Sequence, residues 1–452
     1  MKKNPKIALI NPGKSARFAV QEPLNLGFIA AYLEKHNYEV RIIDQLAGEN
    51  IEEELQKYKP DIAGITGTTP IIYDAYEIAA LTKKMGILTV IGGVHATIFP
   101  EEAIQHADMV VKGEGERAML KILNENITSG IVSAPFIENL DEIPIPARHL
   151  MKMEKYLYCK KNIPYIGHLP YASGNDRIVH MLTSRCCSHG KCIFCHNTWR
   201  NMPHRMDSPE KIISEIKSLK DNYRIDAIYY VEDNFFSSNE RVVKLCELIL
   251  KNGYEDILWG GSARADCVDP EVMKLAKKAG CRSITIGVES GSQRIIDILK
   301  KDITIEMAKK AIQTVKDAGL IAHANFIIGN PTETEEDIQA TKDFIRETNI
   351  VFPEIYLFTP YPGSQAWRDF KAQGLLPEKN DWSVFTQEKI LVNATTMSTN
   401  RLDKLRAQLY MGYFLRHPKT AFVIIFWALT HPSAMYEKII KTFLPFFKVG
   451  KQ

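Results

Sequence analysis

The chain has 452 residues, of which 45% are hydrophobic and 25% are charged, as in ordinary globular proteins. That length predicts two or three domains, and a net charge of +3 is too small to indicate nucleic-acid binding. Eight cysteines in a chain this long do not fit a disulfide-stabilised secreted domain. The short apolar run Ile7 to Ile10, followed by Asn and Pro, predicts a buried strand and not a signal peptide.

Short β-branched runs alternate with helical stretches in the N-terminal part of the chain. The runs are KIALINP, YEVRIID, IAGITG, LTVIGG and MVVKGEGE. Such alternation predicts a parallel sheet covered by helices on both faces, with ligands beyond the carboxyl ends of the strands. The glycines at 92–93 and in GEGE at 113–116 allow a ligand to approach the backbone closely. We therefore expect an α/β ligand-binding domain over residues 1–134.

A second alternation begins after a proline-rich stretch, which is interpreted as a linker over 135–170. Six more strands are predicted, in RIVHMLTS, DAIYYVEDNFF, DILWGGSARAD, RSITIGVESGS, IAHANFIIGNPTET and EIYLFTPYPGS. They indicate a six-stranded partial barrel or an open sheet over 171–370, followed by a helical region over 371–452. No GxxxxGK loop and no Ser/His/Asp order is present, so kinase and hydrolase functions have no support.

Four cysteines fall within the stretch TSRCCSHGKCIFCHN, residues 183–197. Structural zinc usually takes four ligands from two separated pairs, and no second pair follows, although His189 and His196 leave a local zinc site open. An iron–sulfur cubane is a second interpretation, because three thiolates can hold it when another molecule binds the fourth iron.

This stretch resembles the cluster loop of the radical S-adenosylmethionine (SAM) enzymes. Its spacing departs from the usual CxxxCxxC of that family, and alignment on the flanking residues makes Cys187, Cys192 and Cys195 the implied ligands of a [4Fe-4S] cluster. Cys186 then falls where relatives often carry glycine, and it stays open as the alternative first ligand. Phe194, inside the loop, is an implied neighbour of SAM.

Further segments resemble the SAM-binding elements of the same family. EDNFF (232–236), GVESGS (287–292), FIIGNPTET (326–334) and TPYPGS (359–364) stand in the family's order after the cysteine loop. The resemblance implies a partial (β/α)6 barrel. Arg264 is a further candidate, for the SAM carboxylate, because a guanidinium binds a carboxylate in bidentate geometry. The implied SAM-binding residues are Phe194, Glu232, Asp233, Arg264, Glu289, Ser290 and Gly329.

The N-terminal segments resemble the flavodoxin-like (Rossmann-type) cobalamin-binding domain that precedes the barrel in one class of these enzymes. One departure is that Asn11-Pro12-Gly13-Lys14 stands where mutases supply a histidine to cobalt through Asp-x-His-x-x-Gly. His95 is accordingly expected to be a loop residue beside the corrin and not a cobalt ligand. The implied cobalamin-binding residues are Asn11, Leu26, Gly27, Thr66, Thr68, Gly92, Gly93, His95, Gly113, Glu114 and Gly115.

The resemblance implies three cofactors, namely a [4Fe-4S] cluster, SAM and cobalamin, and an external electron donor such as flavodoxin or ferredoxin. It implies a 5′-deoxyadenosyl radical and methylation of an unactivated carbon in a lipid-like, tetrapyrrole or natural-product substrate. Two alternatives stay open. One is a radical SAM cyclase or carbon–carbon coupling enzyme, and the other is a non-catalytic cobalamin or iron–sulfur binding protein.

The C-terminal tail combines aromatic clusters with flanking lysines. Its longest apolar run, residues 421–429, is too short to span a bilayer. This composition is typical of helices that lie at a membrane surface, and an equally good interpretation is a helical cap packed on the barrel. The expected location is cytoplasmic, with peripheral contact at the inner face of the membrane if the tail binds there.

Overall fold

The computed structural model describes residues 4–14, 21–157, 176–197, 202–377, 381–387, 389–418 and 422. In this part of the chain, two parallel six-stranded sheets follow one another, and a two-stranded antiparallel pair lies, in sequence, between the first two strands of the second sheet. The predicted order of an α/β domain followed by a second parallel structure is confirmed.

The first sheet has the strand order β2-β1-β3-β4-β5-β6, and all of its pairs are parallel. Five strands match the five predicted runs. The sixth was missed, because it has three residues, begins with a glycine and has only one buried side chain. The strands are β1 Ile7–Asn11, β2 Val40–Asp44, β3 Ile62–Thr66, β4 Leu88–Gly92, β5 Met109–Val111 and β6 Gly130–Val132.

Helices cover both faces of this sheet. They lie between consecutive strands in sequence, and the second is capped by the Asn50 side chain, which accepts hydrogen bonds from the backbone N–H groups of Glu52 and Glu53. Their apolar stripes face the buried strands. The helices are α1 Leu24–Lys35, α2 Ile51–Tyr58, α3 Ile72–Lys84, α4 Val94–Ile98, α5 Pro100–Ala103 and α6 Gly115–Glu125.

The first half of the linker is packed against the first domain. It forms two 3-10 turns, Leu140–Glu142 and Arg148–Leu150, and the short helix α7 Met153–Tyr156. Ile137, Leu140 and Ile143 are buried against the apolar side chains of α1. This half of the linker therefore contributes to the core, whereas residues 158–170 of the predicted linker lie outside the described residues.

The second sheet is a curled half-barrel with the order β14-β13-β12-β11-β10-β7. All six predicted strands are present, and every pair is parallel. The strands are β7 Ile178–Met181, β10 Ala227–Tyr230, β11 Leu258–Arg264, β12 Cys281–Glu289, β13 Ile321–Ile328 and β14 Pro353–Leu357. The antiparallel pair is β8 Ser184–Arg185 with β9 Arg205–Met206.

Helices alternate with these strands and pack on the apolar face of the sheet. The helices are α8 Pro209–Tyr223, α9 Asn239–Lys251, α10 Pro270–Lys278, α11 Gln293–Ile298, α12 Ile305–Asp317, α13 Glu335–Thr348 and α14 Gln365–Ala372. Helix α15, Thr399–Arg416, follows and buries Leu402, Leu405 and Leu409 in the barrel core. This contact matches the expected helical region after the barrel.

No helix among the described residues is long and apolar enough to cross a membrane. The segment that carries the membrane-surface prediction, residues 418–452, lies outside the described residues except for 418 and 422.

Candidate functional site

The site is built where the parallel strands of the half-barrel end. The cysteine loop follows β7, Asp233 follows β10, Arg264 ends β11, Glu289 ends β12 and Gly329 follows β13. Because the carboxyl ends of parallel strands meet at one edge of a sheet, the fold brings these sequence-predicted residues to the same edge.

Glu232 holds the base of the cysteine loop in place through hydrogen bonds. This buried carboxylate accepts hydrogen bonds from the backbone N–H and the hydroxyl of Thr183 and, at 2.6 Å, from the hydroxyl of Ser184. Arg241 donates at 2.9 Å to the carbonyl oxygen of Thr183. Glu232 therefore positions the start of the loop, and its predicted contact with SAM stays a prediction.

Three of the four clustered cysteines lie close together. Cys187 and Cys192 lie close enough to Cys195 for their thiolate charges to raise its pKa. In the same way, Cys187 raises the pKa of Cys192. Burial raises the pKa of Cys192 to about 11 and that of Cys195 to about 12, so ligation would release their protons. Cys186 has a φ of 65°, the left-handed conformation that favours glycine.

These observations test the fit of a cluster to this loop. Cys187, Cys192 and Cys195 are three thiols in one loop, the number that a cubane needs when another molecule binds the fourth iron, and the backbone conformation of Cys186 suits the glycine-like position that the alignment gives it. The residues therefore fit a [4Fe-4S] cluster, and the choice of Cys187 over Cys186 stays a prediction.

The zinc alternative gains no support from the described residues. No group of three or more His, Cys, Asp or Glu side chains in that part of the chain is already gathered as a metal site, and this applies to the three cysteines as well as to a zinc set. His189 instead lies 2.9 Å from the carbonyl oxygen of Lys300 through its Nε2.

Two cations lie buried beside the cysteine loop. Arg264 forms hydrogen bonds of 2.9–3.0 Å with Asp266, and its Nη2 also donates to the carbonyl oxygen of Lys301 at 2.9 Å. The Nζ of Lys301 lies 2.6 Å from Oε1 of Glu289. Burial opposes the charge of Lys301, but the Glu289 carboxylate raises its pKa above the usual value. Two fixed cations next to the thiols suit an anionic group such as a carboxylate.

Sequence reasoning missed Lys301. It stands in an ordinary Lys-Lys pair outside any quoted motif, and both of its neighbours, Lys300 and Asp302, have a positive φ. Only the tertiary fold shows that this lysine turns inward and is 5% exposed.

The remaining predicted SAM residues differ in how available they are. Asp233 is exposed and accepts a hydrogen bond of 2.7 Å from Asn197, two residues beyond the last cysteine. Phe194 packs in an apolar cluster with Ile327 and Phe358. Ser290 is fully buried, and its Oγ lies 3.3 Å from Oγ1 of Thr341, so its side chain faces α13.

Gly329 has a φ of 85° and donates its N–H to Glu333 at 2.6 Å. Burial raises the pKa of Glu333 to about 7. This turn fixes the end of β13, where the adenine contact is predicted.

The N-terminal domain presents a glycine-lined edge at the ends of β3, β4 and β5. Gly93 has a φ of 95°, and a Cβ there would lie 2.8 Å from the carbonyl oxygen of Gly67. Gly92 accepts a hydrogen bond of 3.1 Å from the N–H of Gly67. The Oγ1 of Thr66 accepts a hydrogen bond of 3.0 Å from Asn25, and Thr68 is exposed. Three neighbouring strand ends thus form a backbone-rich surface.

Gly113 and Gly115 differ in their surroundings. Gly113 is exposed, has a φ of 104° and would have nothing within 4 Å of an added Cβ. An added Cβ at Gly115 would lie 2.4 Å from Ile29. The space around Gly113 is open, whereas Gly115 serves close packing of α6 on α1.

His95 is not the loop residue that the sequence suggested. It lies in α4 and is fully buried, with Nδ1 3.3 Å from Oγ1 of Thr69 and Nε2 3.4 Å from Oε1 of Glu102. The ring of Trp382 lies 5.0 Å from its ring, and burial lowers its pKa. The helix begins directly after Gly93, and Trp382, far away in sequence, covers the ring. A cobalt-ligand role gains no support from this arrangement.

Three other predicted cobalamin residues contact protein. Asn11 donates to Asp44 at 2.9 Å. Leu26 is 2% exposed in the core, and a Cβ on Gly27 would lie 2.5 Å from the side chain of Met151 in the linker. The predicted contacts of Leu26 and Gly27 with cobalamin thus fall where protein already packs.

The GEGE loop reaches the cysteine loop directly. Oε1 of Glu114 lies 2.9 Å from Arg185 and 2.6 Å from Arg205, and Oε1 of Glu116 lies 2.5 Å from Arg185. Arg185 immediately precedes Cys186. The loop predicted to contact cobalamin and the loop predicted to hold the cluster therefore face each other.

A flavodoxin-like domain with an open glycine edge, joined to a half-barrel with a three-thiol loop, defines the class of cobalamin-binding radical SAM proteins. Comparison with known proteins agrees. The family model described as radical SAM superfamily matches residues 181–345, and the one described as B12 binding domain matches residues 17–123. Both ranges fall within the domains expected from the sequence.

An uncharacterized methyltransferase of Pyrococcus horikoshii is 31% identical over 432 residues, which cover 89% of this chain and 90% of that protein. The anaerobic magnesium-protoporphyrin IX monomethyl ester cyclase of Rubrivivax gelatinosus is 29% identical over 77% of this chain and 66% of its own length. The solved structure of the cobalamin-dependent SAM radical enzyme OxsB, with aqua-cobalamin and SAM bound, superposes with a TM-score of 0.74 at 17% identity. The superposition covers 98% of this chain and 72% of the OxsB chain, which shows that the two share a fold.

The chain therefore belongs to the radical SAM enzymes that carry a B12-binding domain. It is a cobalamin-dependent radical SAM enzyme of the methyltransferase or cyclase class. Its cofactors are a [4Fe-4S] cluster, SAM and cobalamin, and like other members it requires an external electron donor and a small-molecule substrate.

Proposed function

We propose that this enzyme methylates an unactivated sp3 carbon of a lipid-like, tetrapyrrole or natural-product substrate. When bound, the cofactors supply reductive cleavage of SAM to a 5′-deoxyadenosyl radical and a methyl donor on cobalt. A carbon-centred radical is needed because no side-chain base deprotonates such a carbon.

The observation that carries the proposal is the contact between the GEGE loop and the cysteine loop through Glu114, Glu116 and Arg185. A methyl donor in the first domain and a radical generator in the second must share one substrate pocket. Direct contact between the two loops supports that requirement, because reacting groups must be held within contact distance of the same carbon.

The chain's own residues bind and orient SAM in this proposal. Cys187, Cys192 and Cys195 hold the cluster, and the exposed carboxylate of Asp233 accepts hydrogen bonds from the SAM amino group. Lys301 and Arg264 provide positive charge for the SAM carboxylate. Both are already paired with acidic groups, so SAM binding would share or exchange these partners.

A cyclase or carbon–carbon coupling activity is the second candidate. It is favoured by the 29% identity to an enzyme named as a cyclase. The two functions differ in their products, since methyl transfer from SAM leaves S-adenosylhomocysteine, whereas radical generation alone leaves 5′-deoxyadenosine and methionine.

The test uses the chain reconstituted anaerobically with cluster, with and without hydroxocobalamin, and SAM labelled with deuterium in the methyl group. With reductant, both preparations should form 5′-deoxyadenosine. Only the cobalamin-loaded one should form S-adenosylhomocysteine and a corrin three mass units heavier than unlabelled methylcobalamin. Formation of 5′-deoxyadenosine without S-adenosylhomocysteine in the cobalamin-loaded preparation would contradict the methyltransferase proposal and leave the cyclase.

We further propose a flavodoxin or ferredoxin as the electron donor and a cytoplasmic location. Contact with the inner face of the membrane through residues 418–452 would suit a lipid-like substrate.

A further inference from the structure

The base of the cysteine loop has an unfavourable arrangement of charge. Strands β8 and β9 close the loop on both sides, and their antiparallel register puts Arg185 directly opposite Arg205. The two side chains are 16% and 5% exposed. Like charges at opposed positions of an antiparallel pair destabilise it, and burial strengthens their repulsion. The hairpin therefore needs anions beside it.

Those anions come from the other domain. Glu114 lies between the two arginines and accepts from Arg205 through both carboxylate oxygens, at 2.6 and 3.1 Å. Glu116, which is 3% exposed, accepts a hydrogen bond from Arg185. Burial opposes the charge of Glu114, but hydrogen bonds from Arg205 and the charge of Arg185 lower its pKa below the usual range.

The barrel does not supply a substitute. Within the described ranges, Glu114 and Glu116 are the carboxylates that form ion pairs with Arg185 and Arg205. On the barrel side of the loop, Glu232 accepts hydrogen bonds from Thr183 and Ser184, and Asp207 pairs with Lys211. The hairpin that closes the cysteine loop is thus neutralised only across the domain boundary in that part of the structure.

The same four-residue segment carries Gly113, at the open edge predicted to contact cobalamin. We infer that Glu114 and Glu116 are positioning residues that couple the two cofactor sites, so that the bound cluster raises the affinity for cobalamin and bound cobalamin slows loss of the cluster. In the inferred coupling, each cofactor fixes the loop that binds it, so that the fixed loop holds the charge partner of the other loop in place. Such coupling is reciprocal by thermodynamic necessity. It goes beyond the proposed methylation and does not depend on the substrate.

The test is anaerobic titration of the full chain with hydroxocobalamin, with and without the reconstituted cluster. The cluster-loaded chain should bind the corrin more tightly, by a factor of about 5 to 100 as is usual for coupled sites. In Glu116→Gln the factor should fall to near one. Glu142→Gln is the matched control, because Glu142 pairs with Arg117 on the same domain without touching the hairpin, and it should keep the full factor.

A reciprocal measurement and a mutant cycle complete the design. Release of iron to a chelator should slow when hydroxocobalamin is bound in the original chain but not in Glu116→Gln. Because Glu116 and Arg185 act through each other, Arg185→Gln and the double variant should resemble Glu116→Gln and not add to it. Equal corrin affinities with and without the cluster, or an unchanged factor in Glu116→Gln, would overturn the inference. Absence of corrin binding in both preparations would instead overturn the cobalamin assignment and the inference together.

Discussion

At the scale of single residues, backbone conformation separates two adjacent cysteines that the sequence could not. Cys186 lies in the left-handed region with a φ of 65°, which costs a non-glycine residue about 1–2 kcal/mol. Cys187 lies close enough to Cys192 and Cys195 for its thiolate charge to raise their pKa values. Alignment also favours Cys187, and its role as the first ligand stays a prediction.

The first prediction follows from this difference. Changing Cys187, Cys192 or Cys195 to Ala should remove cluster iron and abolish formation of 5′-deoxyadenosine, because a cubane held by two thiolates is not retained. Cys186→Gly should keep both, since glycine accepts the left-handed conformation without strain. Iron and sulfide analysis with the electron paramagnetic resonance spectrum of the reduced protein measures the first property. An active Cys187→Ala beside an inactive Cys186→Gly would show that Cys186 is the first ligand.

At the scale of elements, periodicity predicted eleven of the twelve strands of the two large sheets, because their β-branched runs are bounded by glycine and polar turns. It missed β6, which is short and mostly unburied. Motifs placed the candidate site at strand ends that the fold brings together, since parallel strands share an edge. They did not show which protein groups already contact Glu232, Ser290 and Gly27. Nor did they show that the side chain of Lys301 turns inward. Those partners come from segments far away in sequence, and no local pattern records them.

The segment around Trp382 is the clearest case, and it gives the second prediction. Trp382 returns to the first domain, where its ring packs 4.7 Å from Phe99 and its Nε1 donates to Glu102 at 3.0 Å. Trp382→Ala should lower the free energy of unfolding by about 3–5 kcal/mol, as large buried truncations do. Trp382→Phe keeps most of the packing and loses one hydrogen bond, so it should cost about 1–2 kcal/mol. Urea denaturation followed by circular dichroism measures both, and equal losses would show that the hydrogen bond, not the packing, holds the segment.

At the scale of the whole molecule, two polar edges face each other across a charged contact. The open ends of β3, β4 and β5 and the carboxyl ends of the half-barrel strands are joined by Glu114, Glu116 and the two arginines of the hairpin. Apolar packing of α1 on the first half of the linker holds the first domain to the connecting chain. The arrangement of the two cofactor sites is therefore a property of the domain contact and not of either domain alone.

The last prediction concerns the tail, whose sequence favours a membrane surface and whose described part packs on the barrel. Helix α15 buries Leu402, Leu405, Leu409 and Tyr413, whereas Leu415 and Phe422 are 76% and 69% exposed. A change from buried to exposed apolar residues near Arg416 fits an interfacial segment that begins there. Its aromatic side chains would enter the interfacial layer, and its lysines would be attracted to anionic headgroups. The residues concerned are Phe422, Phe426, Trp427, Phe443, Phe446 and Phe447 with Lys419, Lys438, Lys441 and Lys448.

Co-sedimentation with vesicles of phosphatidylcholine, with and without phosphatidylglycerol, tests this prediction. The intact chain should sediment with the anionic vesicles, and the chain truncated before Pro418 should stay in the supernatant with α15 intact. Changing the four lysines to Gln is the matched control, and it should weaken binding while leaving the aromatic residues in place. High salt should weaken binding of the intact chain, because the attraction between exposed charges is screened, whereas packing on the barrel is insensitive to salt. Recovery of both the intact and the truncated chain in the supernatant would assign the tail to the barrel. The main argument for a lipid-like substrate would then be lost, and the tetrapyrrole and natural-product classes would remain.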